Sequence, residues 1–141
     1  MKLLLLAVVL MMAACSKDKG DSPATPQELL MRSPWKLTRV LWEANGVTYP
    51  DIYNNSPQCT LDNEHNFWED GTHTITEGES RCGPQYPTVV ASGTWQLLDD
   101  VILTIEFPGN GQEDWDLITL NQDSLVVTKG ELLKKIRIFT H

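Results

Sequence analysis

The side chains in this 141-residue sequence whose types could do chemistry are three histidines, several clustered carboxylates and three cysteines. His65 and His73 flank the turn Glu69-Asp70-Gly71, so the register of that turn decides what they can do together. A two-residue turn at Asp70-Gly71 would pair Trp68 with His73 and put the two imidazoles on opposite faces. A type I turn with Gly71 left-handed as a bulge would instead pair Phe67 with His73. His65, Phe67, His73 and Ile75 would then share one face, and Asn66, Thr72, Thr74 and Thr76 the other. The second register separates apolar from polar side chains more cleanly, and it aims both histidines inward, diagonal to one another. A metal would need a third ligand, for which Glu113 is the nearest candidate. Two partly buried polar residues is the plainer reading, and no metal site is assigned.

The carboxylate clusters argue less for catalysis. Asp99-Asp100 sits in a turn, where solvation accounts for it. The cluster Glu113, Asp114 and Asp116 has the residue types of a glycosidase pair but nothing else of one. Ser92-Gly93 lies within a strand pattern, not on the strained elbow that a nucleophilic serine requires. There is no Walker loop, dinucleotide fingerprint or HExxH helix. No enzyme activity and no cofactor are assigned. The net charge of −8 excludes a phosphate-backbone binder, so no nucleic-acid partner is expected. Lys134, Lys135 and Arg137 near the end of the chain read as a solvated basic face.

Residues 1–14 carry one early charge, Lys2, and then an unbroken apolar run too short to span a bilayer. Met12-Ala13-Ala14 followed by Cys15 resembles the lipobox of bacterial lipoproteins. That resemblance implies removal of residues 1–14 and acylation of Cys15, which becomes the membrane partner and the lipid attachment site. Residues 15–27 are polar and rich in Pro, Gly and Ser, and read as a tether. The implied location is the bacterial outer membrane, facing the periplasm or the surface. Two cysteines then remain in an oxidising compartment, which suggests a Cys59–Cys82 disulfide.

Residues 28–141 must position these groups. Alternating runs at 35–42, 60–68, 72–76, 89–98, 101–107, 113–120, 124–129 and 132–140, with a weaker one at 47–49, are separated by tight turn signals such as Asn45-Gly46. They predict an all-β, antiparallel up-and-down barrel of about eight strands, preceded by a short helical turn at residues 26–31. Such a barrel is just wide enough for side chains or one small ligand.

Ser33-Pro34-Trp35-Lys36-Leu37, Cys59 with Asp62-Asn63, Asp70-Gly71-Thr72, Glu77-Gly78 and Ser92-Gly93-Thr94-Trp95 together resemble the lipocalin-like domain of secreted bacterial lipoproteins. Ser33 stands where the family has glycine. The resemblance implies a barrel with an apolar pocket and no fixed chemistry. A small hydrophobic or amphipathic ligand is therefore expected, lined by Trp35, Leu37, Phe67, His73, Trp95, Leu103, Ile105 and Trp115. The alternative is a filled barrel acting as a protein-interaction or inhibitor module through the loops 50–57 and 77–87, its protein partner unidentified. A cavity of roughly 300 Å³ or more favours the ligand, and a solid interior the interaction module.

Overall fold

A computed structural model describes residues 23–49, 57–85 and 87–141. The predicted signal peptide, Cys15, the first part of the tether and most of the 50–57 loop lie outside the described residues. The elements are α1 (Pro26–Leu30), β1 (Trp35–Ala44), β2 (Val47–Tyr49), α2 (Gln58–Leu61), β3 (Glu64–Phe67), β4 (Thr72–Thr76), β5 (Val89–Leu98), β6 (Ile102–Phe107), β7 (Gly111–Leu120), β8 (Ser124–Lys129) and β9 (Leu133–Thr140). Strands β3 to β9 pair in sequence order, and β9 pairs back along β1. All pairings are antiparallel. The result is a closed eight-stranded barrel with β2 folded onto the far end of β1 as a short hairpin. Closure satisfies the strand edges that an open sheet would expose.

Turn chemistry sets the register. Asn45 and Gly46 both take positive φ, as a two-residue hairpin turn requires. Asp99 and Asp100 do the same between β5 and β6, and aspartate is among the few side chains that tolerate that region. At the β3–β4 turn Gly71 has φ of 82°, and its N–H donates to the Trp68 carbonyl. Phe67 therefore opposes His73, which is the bulged register expected from the face pattern.

One run folds differently. Residues 60–68 read as a strand, but the chain forms α2 first and joins the sheet only at Glu64. Thr60 donates both its N–H and its hydroxyl to the Pro57 carbonyl, which closes a helical turn. Cys59 lies in that turn and is disulfide-bonded to Cys82, with the Cα atoms 5.0 Å apart. The helix α1, by contrast, spans Pro26–Leu30, within the helical turn expected at residues 26–31.

α1 plugs one end of the barrel. Thr25 and Glu28 form a reciprocal capping box, and Pro26 occupies the first turn, where its missing N–H costs nothing. Leu30 is fully buried among Trp35, Phe67, Trp95, Leu103, Trp115, Leu125, Val127 and Phe139. The Trp35 indole N–H donates to the Leu30 carbonyl at 2.9 Å. Ser33 has a role that glycine could not fill. Its hydroxyl donates to the Leu30 carbonyl and accepts from the Phe67 N–H, tying α1 to β3.

Candidate functional site

Toward the opposite end of the barrel, part of the same core cluster borders a recess. Because strands alternate, every second side chain of β3, β4, β6, β7 and β9 points inward. That rule brings His65, Phe67, His73, Ile75, Ile105, Phe107, Glu113, Trp115 and Arg137 around one recess, with Leu103, Leu125, Val127 and Phe139 completing its wall. The recess has a volume of about 40 Å³. That is room for a few atoms, well below the roughly 300 Å³ of an ordinary small-molecule site.

Of the eight residues expected to line a ligand, Phe67, His73, Leu103, Ile105 and Trp115 do surround the recess. Trp35, Leu37 and Trp95 do not. Trp35 and Trp95 are buried in the core, where their indole N–H groups donate to the carbonyls of Leu30 and Trp68. Leu37 packs against the same cluster. The short helix accounts for the difference, because Leu30 takes the space at that end and turns it into packed core.

The histidines are the polar heart of the recess. His73 is 0% exposed, and its Nε2 lies 3.3 Å from His65 Nδ1. Its ring stacks on Phe67 with centroids 4.6 Å apart. His73 Nδ1 has no hydrogen-bond partner among the described residues. Burial lowers the His65 pKa to about 3, with the His73 and Arg137 charges adding to it. Burial and Arg137 lower that of His73 to about 4. Both rings are therefore neutral at physiological pH, each with one N–H donor and one bare nitrogen. Among the described residues, no group of three or more His, Cys, Asp or Glu side chains is arranged to hold a metal ion.

Glu113 parts from its acidic neighbours at the barrel wall. It points inward, while Asp114 and Asp116 are exposed outside. Its carboxylate accepts from Lys129 Nζ and from the Trp115 indole N–H, both at 3.2 Å. Burial works to raise its pKa, but those donors and the charges of Lys129 and Arg137 outweigh it and hold the group below its usual value.

The basic stretch of β9 is not the solvated face that its composition suggested. Lys134 is exposed, but Lys135 and Arg137 are half-buried and share the inward parity of Phe139. The Arg137 guanidinium lies 4.3 Å from the Trp115 ring centroid, and Lys135 Nζ lies 5.4 Å from that of Trp42. Such cation–aromatic contacts hold a charge in place without neutralising it. Burial lowers the pKa of Lys135, as does repulsion from Arg137 and Lys129, while Glu113 works the other way. Alternation from the buried Phe139 is the signal that would have placed these two cations inside.

A sequence model described as a lipocalin-like domain matches residues 34–127, two thirds of the chain, in line with the barrel. No curated protein matches.

Proposed function

The chain belongs to the lipocalin-like domain family, and we propose that it is a non-catalytic, lipid-anchored binding protein of the bacterial cell envelope. Its ligand is small and amphipathic and enters the barrel at the end away from α1. One observation carries this reading. Apolar side chains, two buried histidines and the half-buried Arg137 line one recess, with Lys135 on the same inward parity of β9. At about 40 Å³ the recess takes only the slim end of a ligand, so the rest lies in the mouth. Acylation at Cys15 supplies the anchor. The outer membrane is the location that fits the lipobox, with the domain on the periplasmic or surface side.

Native mass spectrometry of the protein purified from its own host tests the reading. The expected result is a reproducible small molecule in near-stoichiometric amount, released on denaturation. An empty barrel would overturn it in favour of the second reading, a protein-interaction module. That reading draws on the small size of the recess, and on Leu132 standing 89% exposed in the loop between β8 and β9.

A further inference from the structure

We propose that the junction of residues 59–63 with residues 77–82 is a calcium site, with Asp62, Asn63 and Glu77 supplying side-chain oxygens and Arg81 at its edge. The site is separate from the recess and does not depend on the binding reading above. Three observations carry it.

The first is a set of buried acceptors with no donor. Asp62 Oδ1, Asn63 Oδ1 and Glu77 Oε2 are all buried and accept no hydrogen bond among the described residues. The Glu77 side chain is only 3% exposed. Buried oxygens left in this way cost free energy, more so on a charged group, and a bound ion recovers it. The three residues share one place. β3 and β4 pair through Glu64 and Thr76, and Asn63 and Glu77 are the next residues along the same two chains. At Gly78 a Cβ would meet the Asp62 carbonyl and stand 2.8 Å from its Cγ, so this glycine lets the chain after Glu77 lie directly on Asp62.

The second is that both carboxylates are held by their other oxygens. The Ser80 N–H donates to Asp62 Oδ2 at 2.7 Å, and the Cys82 N–H donates to Glu77 Oε1 at 3.4 Å. The Cys59–Cys82 disulfide ties the two segments together covalently. Little ordering is then left for a cation to impose, which favours binding.

The third is the chemistry of the donors. Two carboxylates and one amide oxygen are hard ligands, with no thiolate or imidazole among them. Calcium takes such oxygens in flexible geometry and completes its shell with backbone carbonyls and water, whereas magnesium demands a near-ideal octahedron. The two carboxylates exceed the single charge of Arg81. Its Nε stands 3.5 Å from Glu77 Oε2, its side chain is half-exposed, and its Nη2 donates to Thr88. An ion pair so exposed on one side is weak, and a divalent cation can replace it.

The test is calcium titration of the full-length protein in zwitterionic lipid nanodiscs, followed by calorimetry and thermal melting. Empty nanodiscs are subtracted, and magnesium at equal concentration controls for charge screening. The expected Kd for calcium is about 0.1–1 mM, the strength of extracellular calcium modules. At ten times that Kd the melting temperature should rise by about 4–8 °C, with magnesium giving little of the rise. The Ser80 and Cys82 amide signals should move with calcium, because their N–H groups hold the two carboxylates. Glu77→Gln and Asn63→Leu are each expected to weaken calcium at least about ten-fold. Should either variant fail to fold, Arg81→Gln at the exposed edge is expected to tighten calcium several-fold, because it removes the competing cation. Equal stabilisation by magnesium, no calcium binding by the folded protein, or a calcium affinity unchanged in the folded variants would overturn the site.

Discussion

The two ends of the barrel are made from the same strands and obey opposite rules. At the α1 end, Trp35 and Trp95 are buried and their indole N–H groups are hydrogen-bonded, with Leu30 filling the space between the walls. At the other end a buried imidazole nitrogen has no partner among the described residues, and half-buried cations rest on indole faces. The first arrangement maximises apolar burial and hydrogen-bond satisfaction, which stabilises a fold. The second forgoes part of that stability, as sites that must meet something else commonly do. Close packing and unpartnered polarity are thus divided along the barrel axis.

Substitutions can break that division, starting with the largest effect. Trp35→Ala is expected to cost about 3–5 kcal/mol, because it opens a cavity in packed core and removes the bond to Leu30. Urea unfolding monitored by far-UV circular dichroism measures it. Next is reduction of Cys59–Cys82, which spans 23 residues at the recess end. Replacing both cysteines by serine is expected to cost about 3 kcal/mol by loop-closure entropy. The same unfolding experiment checks this, and the loop around residues 79–85 should lose hydrogen-exchange protection first.

Acid sharpens the contrast further. His65 and His73 titrate near 3 and 4 in the fold, against an ordinary value of 6.5. Between pH 6.5 and about 4 the unfolded chain binds protons that the folded chain does not, so stability falls as pH drops through that window. Above it there is no effect from these groups. Each histidine should remove about 2 kcal/mol by pH 5. Thermal melts from pH 7.5 to 5 measure this, and His73→Phe should roughly halve the slope. The smallest effect is at the other end. Thr25→Ala removes one half of the capping box and should cost about 1 kcal/mol, with no change in pH dependence.

Much of this division was legible from residue order, and its failures have physical causes. Parity along β3 and β4 placed His65, Phe67, His73 and Ile75 together, because a one-residue slip would have put threonines in the core. Trp35 and Trp95 were assigned to the inward face and expected to line a ligand, but they pack into the core beside Leu30. Alternation gives the side of a strand on which a residue lies, but not the level in the barrel that a helix will fill. Lys135 and Arg137 were missed for the converse reason. On β9 the apolar Ile136 lies in an outer groove while Arg137 lines the recess, so hydrophobicity reads the faces backwards there. The strand expected from residue 60 failed because the hydroxyl and N–H of Thr60 found a nearer acceptor at Pro57.

The most direct test of the account is backbone and indole ¹H–¹⁵N mapping while the small molecule released from the host-purified protein is titrated back into it. Shifts should concentrate on His65, His73, Ile105, Arg137 and the Trp115 indole, while the Trp35 and Trp95 indole signals stay in place. Shifts centred on Trp35 and Trp95, or none at saturation, would contradict the proposed division of the barrel into a packed end and a binding end.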